Sequence, residues 1–154
     1  MEPRMSVRAL AADGYRAMLD LEAAVNGAGL PRAVLDLVRL RVSQINGCAF
    51  CVDMHARDLR AAGESEQRVW SVAAWREAPY FSDAERAALA LAEAATRLHD
   101  HPDGVDDDVW AAAAAHYPDA QLAALVMAIA AINAWNRINV SIRQVAGSYP
   151  VATG

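Results

Sequence analysis

Apolar residues recur every three to four positions through most of the chain, which is the spacing that places side chains on one face of an α-helix. In residues 14–25, for example, Met18, Leu21 and Val25 share one side. Apolar and polar residues do not alternate in runs rich in β-branched side chains, as a half-buried strand requires. The pattern predicts a single all-α domain over residues 1–154, with about six to seven helices.

Turn and capping residues divide this pattern into separate helices. A helix that begins near Pro31 is expected to end at Asn46-Gly47, because Asn-Gly is a strong turn signal. The next helix starts at once and runs to about residue 62, where Gly63 is placed to cap it. The run Ser82-Asp83-Ala84-Glu85 is a capping box, which predicts the start of a further helix.

The last and longest predicted helix covers about residues 118–144. It is apolar on more than one side in residues 122–132, and such a helix must be covered by its own fold or by another subunit. We therefore expect a homo-oligomer. Asn133, Asn136 and Arg137 lie on one face of this helix, and we expect them to serve an interface rather than to line a pocket.

The composition is that of a folded domain without a nucleic-acid or membrane partner. Of the 154 residues, 55% are hydrophobic and 21% are charged, so the chain can bury a core and is not disordered. The formal net charge of −5 gives no electrostatic footprint for nucleic acid or an anionic membrane. The first six residues lack the apolar core of a signal peptide, and the 122–132 run is too short to cross a bilayer. We expect a cytoplasmic protein.

Candidate chemistry is concentrated at Cys48, Cys51 and His55. These are the only two cysteines, and the spacings of three and four residues place all three side chains on one helix face. In the first turn of a helix, unsatisfied N–H groups and the helix dipole stabilise a thiolate, the nucleophilic form of cysteine. His55 can accept the proton of Cys51 directly or through water.

This spacing suits thiol–disulfide chemistry. A thiolate that attacks a peroxide becomes a sulfenic acid, which needs a second thiol to condense with. Cys48 and Cys51 provide both thiols within one turn, and an external thiol or disulfide reductase must then reopen their disulfide.

Two other interpretations stay open on spacing alone. The cysteines can be inert core residues, which behave as small hydrophobes. They can also bind zinc together with His55 and a distant fourth ligand, for which His99, His101 and His116 are the candidates. His99 and His101 lie in a predicted polar loop, where solvated side chains are more common than metal ligands.

The flanking sequence resembles a known family. The segment RVSQINGCAFCVDMH at residues 41–55, followed by AAGE at 61–64, resembles the AhpD-like alkylhydroperoxidase core of the carboxymuconolactone decarboxylase superfamily. SVAAWRE at 71–77 and INAWNR at 132–137 are similar to segments of its small single-domain members. The resemblance extends over about residues 31–143.

The resemblance implies an all-helical fold that assembles as a homo-oligomer, often a trimer or a hexamer, and a thiol-dependent reduction of hydroperoxides without a cofactor or metal. It also implies a proton relay that joins the two cysteines, the histidine and an acid twelve positions before the first cysteine. That acid is Asp36 here, where the family usually has a longer glutamate. Some members have a histidine between the cysteines, where this chain has Phe50.

Carried over by position, the candidate catalytic residues are Cys51, Cys48, His55 and Asp36. We assign Cys51 as the peroxidatic thiol, because it is spaced four residues from His55, and Cys48 as the resolving thiol of a Cys48–Cys51 disulfide. The position at the helix start alone favours Cys48 as the more acidic thiol. Asp36 either orients or recharges His55 or is a solvated carboxylate on a helix face.

Two other functions are weighed against a peroxidase. The cysteine pair can serve a redox sensor or a disulfide-exchange adaptor, which needs a partner protein for turnover. A decarboxylase acting on a cyclic lactone acid, as in the superfamily's namesake, needs no Cys-x-x-Cys pair, so the motif argues against it.

Overall fold

The fold consists of α-helices joined by short turns, and the part of the chain that is described contains no β-strand. The computed structural model describes residues 2–100 and 103–148. In chain order the helices are α1 (Val7–Leu10), α2 (Ala12–Asn26), α3 (Arg32–Ile45), α4 (Ala49–Ala61), α5 (Glu66–Ser71), α6 (Asp83–Thr96), α7 (Asp107–His116) and α8 (Asp119–Ile142). Short 3₁₀ helices follow α5 at Val72–Ala74 and α6 at Leu98–Asp100. The all-α prediction is confirmed.

The described residues form eight α-helices, one more than the upper end of the predicted range. The additional helix is α1, a single turn of four residues with no buried side chain, which is too short to show a hydrophobic repeat. The predicted capping box opens α6, because the Ser82 side chain accepts from the Glu85 N–H and the Glu85 side chain accepts from the Ser82 N–H. Gly63 follows α4 with a φ of +91°, as a glycine at a helix end does.

Helix α3 is central and packs against α4, α6 and α8. Its residues enter two hydrophobic clusters on different sides. Leu35, Val38 and Val42 join the first cluster, which α8 completes with residues such as Leu125 and Ile132. The second cluster joins α3 to α4, α5, α6 and the 3₁₀ helix Val72–Ala74. Its members are Leu37, Leu40, Leu59, Val69, Val72, Trp75, Phe81 and Leu89. Because both clusters share α3, the end of this helix is held firmly where the cysteines follow.

Helix α8 buries one face against the core and leaves an apolar stripe on the other. Leu125, Ala128 and Ile132 are buried, whereas Val126 and Met127 are exposed. By length and composition alone this helix could also cross a membrane, a property it shares with core helices of water-soluble proteins.

The N-terminal segment closes the end of α8. The N–H of Arg4 donates to the carbonyl of Ile142 at 2.8 Å, and the Arg4 guanidinium donates to the carbonyl of Ser141 at 3.1 Å. Carbonyls at a helix C-terminus otherwise have no partner within the helix. From there α1 packs against α2 and α2 packs against α8, where the ring of Tyr15 meets Trp135 edge to face at 5.2 Å.

Candidate active site

The turn between α3 and α4 determines where the two cysteines lie. Gly47 has a φ of +68°, and the N–H groups of Gly47 and Cys48 donate back to the carbonyls of Gln44 and Ser43. This is a Schellman motif, which ends α3 and favours glycine at the left-handed position. The chain therefore enters α4 at once with Cys48 as its N-cap, and the Cys48 sulfur accepts from the Cys51 N–H at 3.4 Å.

The thiols of Cys48 and Cys51 are adjacent and buried. Their sulfurs lie 2.7 Å apart, with the Cys48 thiol donating to the Cys51 sulfur, and both residues are free cysteines. Cys48 is 1% exposed and Cys51 is fully buried. The predicted placement of both thiols in the first turn of one helix is confirmed.

Asparagine side chains from α8 surround the thiols. Asn139 Nδ2 donates to the Cys51 sulfur at 3.3 Å. Asn136 is fully buried, and its amide accepts from Asn46 Nδ2 at 2.9 Å and donates to Ser43 Oγ at 3.1 Å. The predicted interface role of Asn136 is therefore wrong, because packing of α8 against the α3–α4 turn satisfies this amide inside the fold.

Asn133 and Arg137 do not share the position of Asn136. Asn133 takes part in the same network, since its side-chain oxygen accepts from Asn46 at 3.0 Å and its nitrogen donates to Thr96. Arg137 is exposed and donates to the backbone carbonyl and the side-chain oxygen of Asn133 at 3.0 Å. The buried end of this polar face thus belongs to the thiol site and the exposed end to the surface.

Hydrogen bonding makes the two thiols unequal. The pKa of Cys51 is lowered, chiefly by the hydrogen bond that Cys48 donates to it and further by Asn139, Asn136 and Ser43, against the opposing effect of burial. The pKa of Cys48 is raised, first by that same hydrogen bond and then by burial. Cys51 is therefore the more acidic thiol of the pair.

His55 lies one helical turn after Cys51 on α4, is buried, and makes no hydrogen bond to either thiol. It is 6% exposed, and neither ring nitrogen has a hydrogen-bond partner among the described residues. Burial, reinforced by the positive charges of Arg39 and Arg32, lowers the pKa of His55 to about 3. The imidazole is therefore neutral at pH 7, and among the described residues it makes no direct hydrogen bond to Cys51, one of the two routes expected from the i, i+4 spacing.

Asp36 is buried, so its interpretation as a solvated carboxylate is wrong. It is 1% exposed, and its two oxygens accept from Arg32 at 2.6 Å and from Arg39 at 3.4 Å. Arg39 also donates to Glu22 at 2.6 Å and to Asn26 at 2.9 Å. Asp36 thus belongs to a buried charge network and makes no hydrogen bond to His55 among the described residues.

Asp58 is an acid near His55 that the sequence interpretation did not include. Its Oδ2 lies 3.8 Å from Nδ1 of His55, and the two residues are three positions apart on α4. Burial and the negative charge of Asp36 raise the pKa of the Asp58 carboxyl. The i, i+3 spacing from His55 was the available signal.

One group of three potential metal ligands converges within the described residues. Single ligand atoms of Asp36, His55 and Asp58 lie within 4.8 Å of one another. The guanidinium groups of Arg32 and Arg39 already occupy Asp36, and their positive charge opposes a cation here. In the described part of the chain the cysteine sulfurs gather no third ligand of this kind, and the zinc candidate His101 lies outside the described residues.

A cavity of about 470 Å³ lies beside the site, and neither cysteine is among its lining residues. Its apolar wall comes mainly from α2, α4 and α8, with Leu19, Phe50, Met54, Ile132, Trp135 and Ile138. His55, Asp58 and Asn139 also line it. This volume suits an organic molecule, and small-molecule sites are commonly apolar cavities with a few polar groups.

The chain matches one family model and several known proteins. Residues 12–94 match the model described as the carboxymuconolactone decarboxylase family. An uncharacterized protein, YdfG of Bacillus subtilis, is 38% identical over 148 residues, which are 96% of this chain and 99% of that protein. Alkyl hydroperoxide reductase AhpD of Bradyrhizobium diazoefficiens is 40% identical over 45 residues, 29% of this chain and 25% of that protein.

A solved structure has the same fold. It is a protein of unknown function from Agrobacterium tumefaciens with a suggested role as an antioxidant defence protein, AhpD. The two structures superpose with a TM-score of 0.90 at 36% sequence identity, over 96% of this chain and 100% of that chain.

Proposed function

Since the chain belongs to the carboxymuconolactone decarboxylase family, with an AhpD-like all-α fold, we propose that it is a thiol-dependent peroxidase that reduces organic hydroperoxides. The observation that carries this proposal is the pair of adjacent free thiols at the start of α4, of which Cys51 is surrounded by hydrogen-bond donors. Peroxide reduction through a disulfide requires a nucleophilic thiolate and a second thiol beside it.

The reaction takes place in three steps. The Cys51 thiolate attacks the terminal oxygen of the hydroperoxide, so a sulfur–oxygen bond forms and the oxygen–oxygen bond breaks. The bonding electrons leave with the alkoxide, which takes a proton and becomes the alcohol. Cys48 then attacks the Cys51 sulfenic acid, water leaves, and an external dithiol reduces the resulting disulfide by thiol exchange.

In this proposal the His55 ring contacts the substrate and does not contact Cys51. Its unpartnered ring lines the cavity, so a hydroperoxide bound there supplies the hydrogen-bond partner that the fold does not. The neutral ring can donate from one nitrogen to the departing oxygen while the other nitrogen accepts a proton. Asp58 is the carboxyl near this ring, with its Oδ2 at 3.8 Å from Nδ1 of His55.

Asp36 has a positioning role in this proposal. Its bonds to Arg32 and Arg39 hold two guanidinium groups whose positive charge adds to the effect of burial in lowering the pKa of His55. This differs from the direct relay that the family resemblance implies, because arginines occupy both oxygens of Asp36.

The test is consumption of cumene hydroperoxide by the pure protein in the presence of a dithiol. We expect turnover by the parent and none by Cys51→Ser, which removes the attacking sulfur with little change in volume. In a separate reaction without the dithiol, Cys48→Ser should still convert one equivalent of peroxide, because it can form the sulfenic acid but not the intramolecular disulfide. If Cys51→Ser consumes the peroxide as fast as the parent, the proposal is wrong.

Two other functions are considered, a disulfide-exchange adaptor and a lactone decarboxylase. Both a disulfide-exchange adaptor and a peroxidase need an external thiol to reach Cys48 and Cys51, which are at most 1% exposed, so peroxide turnover with a small dithiol and no partner protein is what separates them. A lactone decarboxylase would remain a candidate only if activity on the lactone survived the loss of both cysteines.

We also propose that the protein assembles as a homo-oligomer, such as a trimer or hexamer, and that it is located in the reducing cytoplasm. Ala123, Val126, Met127 and Ala130 form an exposed stripe on α8, in a stretch with no charged residue between Asp119 and Arg137. Another copy of the chain can bury this stripe.

A further inference from the structure

We propose that Asn139 is a catalytic residue whose amide stabilises the Cys51 thiolate and covers its sulfur on the side of the cavity. This inference rests on the proposed peroxidase function and adds a residue that neither the motif nor the family resemblance assigns.

Asn139 connects two parts of the site that are otherwise separate. Cys51 is fully buried and is not among the residues that line the cavity, so its sulfur lies behind the cavity wall. Asn139 lines the cavity and its Nδ2 lies 3.3 Å from that sulfur. Within the described part of the chain, no other residue both lines the cavity and makes a side-chain hydrogen bond to a cysteine sulfur.

The neighbouring amide network favours donation toward the sulfur. Asn136 precedes Asn139 by three residues on α8, so both amides face the α3–α4 turn. Asn46 donates to the oxygen of Asn136, which directs the nitrogen of that amide to Ser43 and the thiols. An amide oxygen of Asn139 facing a thiolate would be repelled, whereas its N–H is attracted.

The position of this amide also suits the chemical step. During attack, negative charge moves from the Cys51 sulfur to the departing oxygen of the hydroperoxide. The side-chain nitrogen of Asn139 carries two hydrogens, and the sulfur takes one of them. The second can donate to the oxygen on the cavity side, so one fixed group follows the charge as it moves.

The side-chain amide of Asn139 does not need the bond to Cys51 to satisfy its hydrogen-bonding groups. An asparagine that faces a cavity of about 470 Å³ can be satisfied by solvent or ligand without bonding to sulfur. Its bond to Cys51 is among the causes that lower the pKa of that thiol.

The experiment measures the thiolate directly and uses no peroxide. In a Cys48→Ser background Cys51 is the sole thiol, so its alkylation by iodoacetamide can be followed from pH 5 to pH 10. Asn139→Ala should raise the midpoint of this profile by about one pH unit, which is about tenfold less thiolate below the midpoint. Asn139→Asp, which replaces the donor with a negative oxygen at equal volume, should raise the midpoint further.

The plateau rate at high pH reports access to the sulfur. It should rise in Asn139→Ala, because the covering amide is gone, and should not rise in Asn139→Asp. The matched control is Gln121→Ala, which removes an α8 amide that donates to the carbonyl of Gly29 at 3.0 Å. Gln121 lies about 27 Å along the helix from Asn139, so this variant should keep the midpoint and plateau of the parent.

Unchanged midpoints in both Asn139 variants would overturn the inference, and an unchanged plateau in Asn139→Ala would overturn the covering role. The outcome is separable from the proposed function. If Asn139 controls the thiolate but the parent shows no peroxide turnover, the peroxidase proposal fails and the role of Asn139 in thiolate formation stands. If the parent turns over peroxide and both midpoints stay unchanged, the peroxidase proposal stands and the role of Asn139 fails.

Discussion

Acid should destabilise this protein through His55, because the folded state holds this side chain neutral. In the unfolded chain a histidine has a pKa near 6.5, whereas burial, Arg39 and Arg32 lower the pKa of His55 to about 3 in the folded protein. A lowered folded-state pKa means that the unfolded state binds more protons between these two values. The contribution of His55 to stability is therefore complete above about pH 6.5 and decreases as the pH falls toward 3.

The magnitude follows from 1.36 kcal/mol per pKa unit. Between pH 7.5 and pH 5 the unfolded histidine becomes protonated and the folded one does not, which lowers the free energy of unfolding by about 2 kcal/mol. His55→Gln removes this titration while keeping a polar side chain of similar length. We expect the stability loss between these two pH values to be about 2 kcal/mol smaller in His55→Gln than in the parent.

The assay is urea unfolding followed by circular dichroism, at both pH values and at one protein concentration. Titration of the carboxylates contributes to both proteins and cancels in the comparison. His116→Gln is the matched control, since it removes an exposed histidine at the end of α7 without opening the core, and it should keep the pH dependence of the parent. Equal losses in His55→Gln and the parent would refute the conclusion that the fold holds His55 neutral.

Three further predictions concern the charge networks and the exposed face of α8. Asp36→Asn should lower the free energy of unfolding by about 3 kcal/mol in urea, because it leaves the buried Arg39 with Glu22 as its remaining carboxylate; a variant as stable as the parent would contradict this. Glu93→Gln should lower the melting temperature, since it weakens the ion pair with Arg41. The lowered pKa of the Glu93 carboxyl means that only its ionised form stabilises the fold, so the difference in melting temperature should shrink as the pH falls below about 4.5. A difference that stays constant with pH would contradict this reasoning. Met127→Glu should give a smaller species than the parent in sedimentation at unchanged helicity, and an unchanged assembly would show that the α8 stripe is not an interface.

The sequence predicted the helices well because their signals are local. Apolar spacing identified the long helices, and Ser82 and Gly47 marked ends whose hydrogen bonds form within a few residues. It missed α1, because four residues cannot show a period of 3.6. The same local signals placed Cys48 and Cys51 correctly in the first turn of α4.

The remaining parts of the site depend on packing between distant segments. Asn139 reaches Cys51 only because α8 packs on the α3–α4 turn, 88 residues away in the chain. Asp36 was singled out by position, and its two arginine partners lie on the same helix at i−4 and i+3, but the bond from Arg39 to Glu22 forms only because α2 lies beside α3. His55 shares a helix face with Cys51, and the fold nevertheless leaves its ring facing the cavity instead of the sulfur.

The most direct test of the peroxidase proposal is a single turnover without any reductant. Fully reduced protein is mixed with one equivalent of cumene hydroperoxide, and the alcohol and the protein mass are measured together. The proposal predicts one alcohol formed per chain, with a loss of two hydrogens as Cys48 and Cys51 become a disulfide. Peroxide that remains unreacted, or alcohol that forms while both thiols stay free, would contradict it.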